Sequence, residues 1–280
     1  MSFTVRDAQT VAEILREAAR TEIMPRFRHL SAGAIRQKSS AEDLVTDADE
    51  AAEKVIAAAL RTAFPGAIII GEEGVAARPA LLDELDGAEL AFSVDPVDGT
   101  KNFASGLPLF GTMAGVIVRG EIVAGIILDP VGGDWTIGVR GEGSWTENPE
   151  GVRIDLKVEE PLAVNKMSGT ASWSTLPEPL RSTLCANLAR SRSAANYRCA
   201  AHEYRLISGG FSHFALFSKI NLWDHAAGWI IHKEAGGYSA RFDGSPYLPG
   251  HRDGGLLYAP DKASWEALQA AFFKGTEYGA

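Results

Sequence analysis

The sequence predicts a layered fold of mixed α+β and α/β character, on three observations. Apolar runs at 67–71 and 89–94 each end abruptly in carboxylates, as buried strands delivering acids at their ends do. Residues 110–147 carry repeated β-branched stretches broken at Arg119-Gly120, Gly132-Gly133 and Arg140-Gly141, the pattern of antiparallel strands joined by tight turns. From 177 onward, helical and strand patterns alternate, which suits helices packed on sheets and not a lone barrel or bundle.

In chain order, Val11, Ile14, Leu15, Ala18, Ala19 and Ile23 recur at helical spacing, so residues 7–28 are an amphipathic helix. The polar stretch 35–46 reads as an exposed connection. Residues 47–63 repeat the helical pattern behind the acidic start DADE, which suits the positive end of a helix. Strands follow at 67–74, 89–100 and across 110–147. The polar segment 147–157 is the expected boundary between an N-terminal half (1–150) and a C-terminal half (151–280), packed as one compact unit. In the second half, helices are expected at 177–190, 200–209 and 224–235, and strands at 211–217, 237–242 and 255–259. A last helix, 261–273, is capped by Asp261. No internal repeat or low-complexity tract interrupts the 280 residues.

Composition narrows the function. The 46% hydrophobic share is ample for a core. A formal charge of −9, without a long basic run, leaves a nucleic-acid surface no electrostatic basis. The first twenty residues do not read as a signal peptide, no apolar stretch reaches membrane-spanning length, and Cys185 and Cys199 are too few for a disulfide framework. A cytoplasmic protein without membrane or nucleic-acid partners is the expectation. Such an acidic chain repels phosphorylated metabolites unless bound cations reverse the local field.

The chemistry concentrates in DPVDGT, Asp95–Thr100. Pro96 keeps Asp95 out of a helix and Gly99 permits a sharp turn, so both acids are held at a strand end, with a helix beginning at Thr100. Asp95, Asp98 and the Val97 carbonyl are hard oxygen donors suited to magnesium, and the N–H groups of Gly99 and Thr100 suit a phosphate. The alternative is a turn shaped by ordinary turn residues. Glu72 and Glu73, ending another apolar run, favour convergence on a cation. Asp224, in WDHAAG at 223–228, either caps a helix or ligates metal. His225 and His232 stand seven residues apart, too far on a helix for one zinc ion, and read as structural or surface residues.

Four motifs in this order resemble the inositol monophosphatase family over most of the chain: Lys38 before DLVT (43–46), GEE (71–73), DPVDGTKNF (95–103) and WDHAAGWIIHKEAGG (223–237). The resemblance implies a layered αβαβα sandwich of the sugar-phosphatase type. It also implies a homodimer and lithium-sensitive hydrolysis of phosphate monoesters with two or three magnesium ions. Residue by residue, it assigns Glu72, Asp95 and the Val97 carbonyl to one metal site and Asp95, Asp98 and Asp224 to a second. A third, looser site is approached by Glu72 through water and supported by Asp49. Glu72 and Thr100 are then expected to orient and deprotonate the attacking water, the Thr100 hydroxyl passing its proton toward Glu72. Gly99 and Thr100 N–H groups would hold the phosphate, and Lys38 would act as a lid.

The substrate side departs from the family pattern. Relatives place a glycine, a small hydroxyl residue and alanines where this chain has RCAAHEY (198–204). Ala200 keeps its substrate-binding position beside Asp98 and Asp224, whereas Arg198, His202 and Glu203 are new. A glutamate that contacts inositol hydroxyls falls at Phe217, which removes an acceptor. Arg198 either grips a second anion bidentately or pairs with a structural acid; Lys219 either adds charge to the pocket or is solvated. Inositol 1-phosphate is therefore one expected substrate among histidinol phosphate, bisphosphorylated nucleotides and fructose 1,6-bisphosphate. A regulatory binding protein that retains the fold is the non-enzymatic alternative.

Overall fold

The computed structural model describes residues 3–30, 33–37 and 44–279; Lys38, the expected lid residue, lies outside them. Helix α1 (Val5–Ala18) opens on a reciprocal cap, with Asp7 N–H donating to Thr4 Oγ1 at 3.2 Å and Thr4 N–H to Asp7 Oδ2 at 2.8 Å. The predicted opening helix runs on only to Ile23, by widening into a π turn over Ala19–Ile23. The expected irregular connection is corrected in part: β1 (Ile35–Gln37) and β2 (Leu44–Thr46) pair antiparallel. All three β1 side chains are exposed, so no apolar alternation marks it in the sequence.

Helix α2 (Asp47–Ala63) packs beside α1. Strand β3 (Ile68–Gly71) stops before the acids, because Glu72 and Glu73 open helix α3 (Glu72–Ala77). Strand β4 (Ala91–Asp98) is buried along its whole length and turns into α4 (Thr100–Ala104). The predicted meander follows as β5 (Gly111–Val118), β6 (Glu121–Leu128), β7 (Trp135–Val139) and β8 (Gly143–Glu147). At the β5–β6 turn both Arg119 and Gly120 have positive φ, 51° and 78°, the conformation a two-residue hairpin requires. Within 147–157, β9 (Arg153–Asp155) pairs with β8, completing a seven-stranded sheet in the order β3 to β9.

The second half adds β10 (Ser168–Ala171), α5 (Leu180–Leu188), β11 (Ser193–Ala195), α6 (Ala200–Ser208), β12 (Phe214–Phe217), α7 (Leu222–Glu234), β13 (Tyr238–Arg241), β14 (Leu256–Ala259) and α8 (Lys262–Phe272). As predicted, Asp261 caps α8, accepting from Ser264 N–H at 2.7 Å. Strands β10 and β11 were not anticipated: four and three residues long, rich in Ser, Gly and Ala, they carry no β-branched signal beyond Thr170. Five strands make the second sheet, ordered β11-β10-β12-β14-β13.

The layers follow from what each face buries. Helices α1 and α2 cover one face of the seven-stranded sheet over Leu15, Ile56, Phe92 and Ile126. Helices α6 and α7 lie between the two sheets over Met113, Tyr204, Ile230 and Tyr258. Helices α5 and α8 cover the outer face of the second sheet over Leu184, Phe214 and Phe272. The result is an αβαβα sandwich. The middle layer depends on close approach: a Cβ at Gly125 of β6 would lie 2.3 Å from the Ala227 carbonyl oxygen of α7, so only glycine lets α7 sit this deep.

Candidate active site

The site begins at a fault in β4. Asp95 faces Met113 of β5 and Asp98 faces Gly111, so three steps on β4 match two on β5, a β-bulge. Pro96, with no N–H to give the ladder, sits in the bulge, and its carbonyl accepts from Thr112 Oγ1 at 2.9 Å. Asp95, 2% exposed, accepts from Val97 N–H at 3.0 Å. Gly99 takes φ +87°, the left-handed turn that swings the chain into α4. A Cβ there would meet the Leu109 carbonyl at 3.0 Å and Cys199 Cβ at 3.1 Å.

Helix α2 braces the turn. Asp49, fully buried, accepts from Thr46 N–H at 2.9 Å with Oδ2 and from the Thr100 hydroxyl at 3.2 Å with Oδ1. The Thr100 hydroxyl also lies 3.0 Å from the Val97 carbonyl oxygen. One turn along α2, Glu53 accepts from the N–H groups of Glu73 and Gly74, both at 2.8 Å. It thereby caps α3 and fixes Glu72. Sequence reasoning passed over Glu53; its signal was its place four residues after Asp49 on the same helix face.

The second half supplies the remaining wall. Asp98, 9% exposed, accepts from Ala201 N–H at 2.6 Å and from the Cys199 thiol at 3.1 Å. Both cysteines are free thiols. Asn102 of α4 donates to the carbonyls of Leu109 and Tyr197, both at 2.8 Å, tying the two halves beside Asp98; it too was missed. Asp224 is not the cap of α7. Asn221 holds that position, and its amide donates to Asp224 Oδ2 at 3.1 Å.

A cavity of about 350 Å³ brings together Glu72, Asp95, Val97, Asp98, Gly99, Thr100 and Asp224 with Arg198, Ala200, Phe217 and Lys219. Asp49 is reached through Thr100. His202 Nε2 donates to the Phe110 carbonyl, 3.1 Å away. Phe217 stacks on Tyr204 at 5.0 Å and meets the edge of His225 at 4.9 Å. His225 Nε2 donates to the Lys219 carbonyl at 2.6 Å, which leaves Nδ1 to accept from the Tyr204 hydroxyl at 2.7 Å. Both histidines of α7 are buried, so the surface reading falls and the structural one stands.

Burial pushes the Asp95 carboxyl well above the usual carboxylate range, and Glu72, Asp98, Asp224 and Asp49 push it further. Burial likewise raises Asp98, against the opposing donors Ala201 and Cys199, and raises Asp224 to about 8, with Glu72 and Asp98 adding and Lys219 opposing. Glu203, 2% exposed, is raised to about 8, chiefly by burial. So many carboxyls in one place call for positive charge. Among the described residues no three acid, imidazole or thiol groups form a ready-made enclosure for an ion. The fit rests on donor chemistry: buried carboxylates plus the Val97 carbonyl are the hard oxygens a magnesium-sized cation takes.

Arg198 has φ +55°, a conformation that costs a non-glycine residue about 1–3 kcal/mol. Its N–H donates to Asn196 Oδ1 at 2.9 Å. Among the described residues no helix is long and apolar enough to cross a membrane.

Known proteins resemble this chain in sequence and fold. Residues 3–274 match the inositol monophosphatase family. The Nus factor SuhB of Haemophilus influenzae is 32% identical over 238 residues, 81% of each chain. The inositol-1-monophosphatase of Bacillus subtilis is 30% identical over 216 residues, 76% of this chain and 78% of its own. The crystal structure of the extragenic suppressor protein SuhB from Bartonella henselae superposes with a TM-score of 0.81 at 22% identity, covering 96% of this chain and 98% of that one. With a match from residue 3 to residue 274 and the same layered fold, the chain belongs to the inositol monophosphatase family of phosphoric monoester hydrolases.

Proposed function

We propose that the protein hydrolyses a small phosphate monoester such as inositol 1-phosphate in a magnesium-dependent reaction. Glu72, Asp95, the Val97 carbonyl, Asp98 and Asp224 would hold two or three ions. The observation that carries this reading is the meeting of those acids with the Thr100–Asp49 pair around one cavity. When bound, magnesium supplies the positive charge and Lewis acidity that phosphoryl transfer needs.

The chain's own residues do the rest. Gly99 and Thr100 present N–H groups to the phosphoryl oxygens where negative charge builds up. Glu72 orients the attacking water. The Thr100 hydroxyl lies within donating distance of Asp49 Oδ1, at 3.2 Å, and of the Val97 carbonyl, at 3.0 Å; turned to Asp49, it would pass its proton there as its oxygen takes one from the water. In this reading Asp49 takes the place given to Glu72 as acceptor of the Thr100 proton. Asp98 and Asp224 flank the leaving alcohol, with Ala200 and Arg198 on the wall beside them. The same reading carries lithium inhibition, a homodimer and a cytoplasmic setting.

The test is phosphate release with magnesium from inositol 1-phosphate, histidinol phosphate, fructose 1,6-bisphosphate and adenosine 3′,5′-bisphosphate. Asp95→Asn and Asp224→Asn are each expected to lower turnover at least about a hundredfold; normal turnover in either sinks the ligand assignment. The SuhB relatives named Nus factors support a second reading, a regulatory binding protein. A stoichiometric partner in a pulldown, with no turnover of any ester, favours that reading instead.

A further inference from the structure

We propose that Arg198 and Lys219 form an anion subsite within the cavity, selecting phosphate esters whose leaving alcohol carries a second anionic group. This rests on the hydrolase reading above and adds the substrate class to it.

Both cations line the cavity that holds Asp95 and Asp224, and among the described residues neither forms an ion pair. The pairing of Arg198 with a structural acid, left open by the sequence, is not found among the described residues. Among the described residues three non-glycine residues have positive φ: Arg28, Arg119 and Arg198. Arg28 donates from its side chain to the Gly106 carbonyl at 3.0 Å, and Arg119 pairs with Glu89 at 2.8 Å. Arg198 holds the same strained backbone with no such side-chain contact among the described residues, and its guanidinium stays available to the cavity. Strain kept without a structural partner is a mark of binding sites.

Lys219 stands on a loop fixed from beneath. Its carbonyl accepts from His225 Nε2 at 2.6 Å, His225 is anchored by the Tyr204 hydroxyl, and Phe217 packs against that imidazole at 4.9 Å. Phe217 is 5% exposed and committed to this aromatic cluster. A neutral polyol therefore finds no carboxylate acceptor at that position, whereas an anion finds two cations. Ser172 and Thr175 add hydroxyls to the same cavity, linked through Ser218 at 3.3 and 2.6 Å. The planar guanidinium fork matches a phosphate or a carboxylate.

Three esters that share one ring isolate the second anion: glucose 1-phosphate, glucuronic acid 1-phosphate and glucose 1,6-bisphosphate. Each is measured as a competitor against whichever ester of the release screen the protein turns over, in the intact protein and in Arg198→Gly. Glycine accepts φ +55° without strain, so the fold is retained, with melting temperature as the check. The expected result is that the intact protein binds one or both of the doubly anionic esters at least about tenfold more tightly than glucose 1-phosphate. Arg198→Gly should cut that preference to within about threefold, Lys219→Ala should weaken it as well, and added salt should shrink it. Preference for the bisphosphate alone assigns the subsite to phosphate; preference for both, to any anion. Equal binding of the three esters, or an unchanged preference in Arg198→Gly, overturns the proposal while leaving the hydrolase reading intact. If no ester of the screen is turned over, both readings fall.

Discussion

The acids and the cations of this cavity are held by different means. Asp95, Asp98 and Asp49 are almost wholly buried, and neighbouring N–H, hydroxyl or thiol groups fix each carboxylate. They hang from the bulge of β4 and the first turn of α2. Arg198 and Lys219 sit on connections ahead of α6 and α7, exposed to solvent, and among the described residues only their backbones are hydrogen-bonded. The groups read as carrying the chemistry are over-determined by the fold, whereas those read as choosing the alcohol ride on loops, where substitution disturbs little.

That contrast can be broken at several points. The largest effect is expected at Thr100. Replacing it by Val keeps the shape but removes the hydroxyl between Asp49 and the Val97 carbonyl, lowering kcat about a hundredfold with little change in KM, and Thr100→Ser should restore most of it. Steady-state kinetics showing full turnover in the Val variant would remove Thr100 from the proton route.

Gly125→Ala comes next. Its Cβ would sit 2.3 Å from the Ala227 carbonyl oxygen, so α7 must shift, at about 1–3 kcal/mol. Denaturant unfolding should register that loss, and turnover should fall with it because α7 carries Asp224. An unperturbed Gly125→Ala protein would mean that α7 is not wedged against the sheet.

The smallest effect concerns the core beside the site. His232 is fully buried, its two ring nitrogens have no hydrogen-bond partner among the described residues, and Tyr258 packs edge-on at 5.1 Å. Burial lowers its pKa from 6.5 to about 3. The unfolded chain takes up the proton near 6.5 and the folded chain does not, so below 6.5 the unfolded state binds more protons. Stability contributed by the neutral imidazole is complete above that pH and is lost as pH falls toward 3, by up to about 1.4 kcal/mol per unit. Chemical denaturation between pH 4 and 7 should show this slope, flattened in His232→Leu; equal slopes in the two proteins would place the proton elsewhere.

Much of the site could be read directly because strand ends and caps announce themselves. Pro96 and Gly99 mark where β4 stops, and the acids of DPVDGT sit at that stop. The acidic start DADE marks where α2 begins, and Asp49 lies in it. What escaped was whatever depends on a distant neighbour. Glu53 caps α3 from twenty residues away. Asn102 reaches a carbonyl 95 residues on. Asp224 resembled a cap until Asn221 proved to hold that position. Strands β10 and β11 gain their identity from parallel pairing with each other and β12, not from their own residues.

The sequence by itself determined most of the elements, the turn chemistry and the supply of acids, since hydrophobic period, proline and glycine act over a few residues. Only the tertiary structure decided which acids share a cavity, that α7 lies deep against Gly125, and that Arg198 and Lys219 form no ion pair among the described residues. Those outcomes depend on contacts between residues far apart in the chain, where burial and pairing are properties of the packed whole.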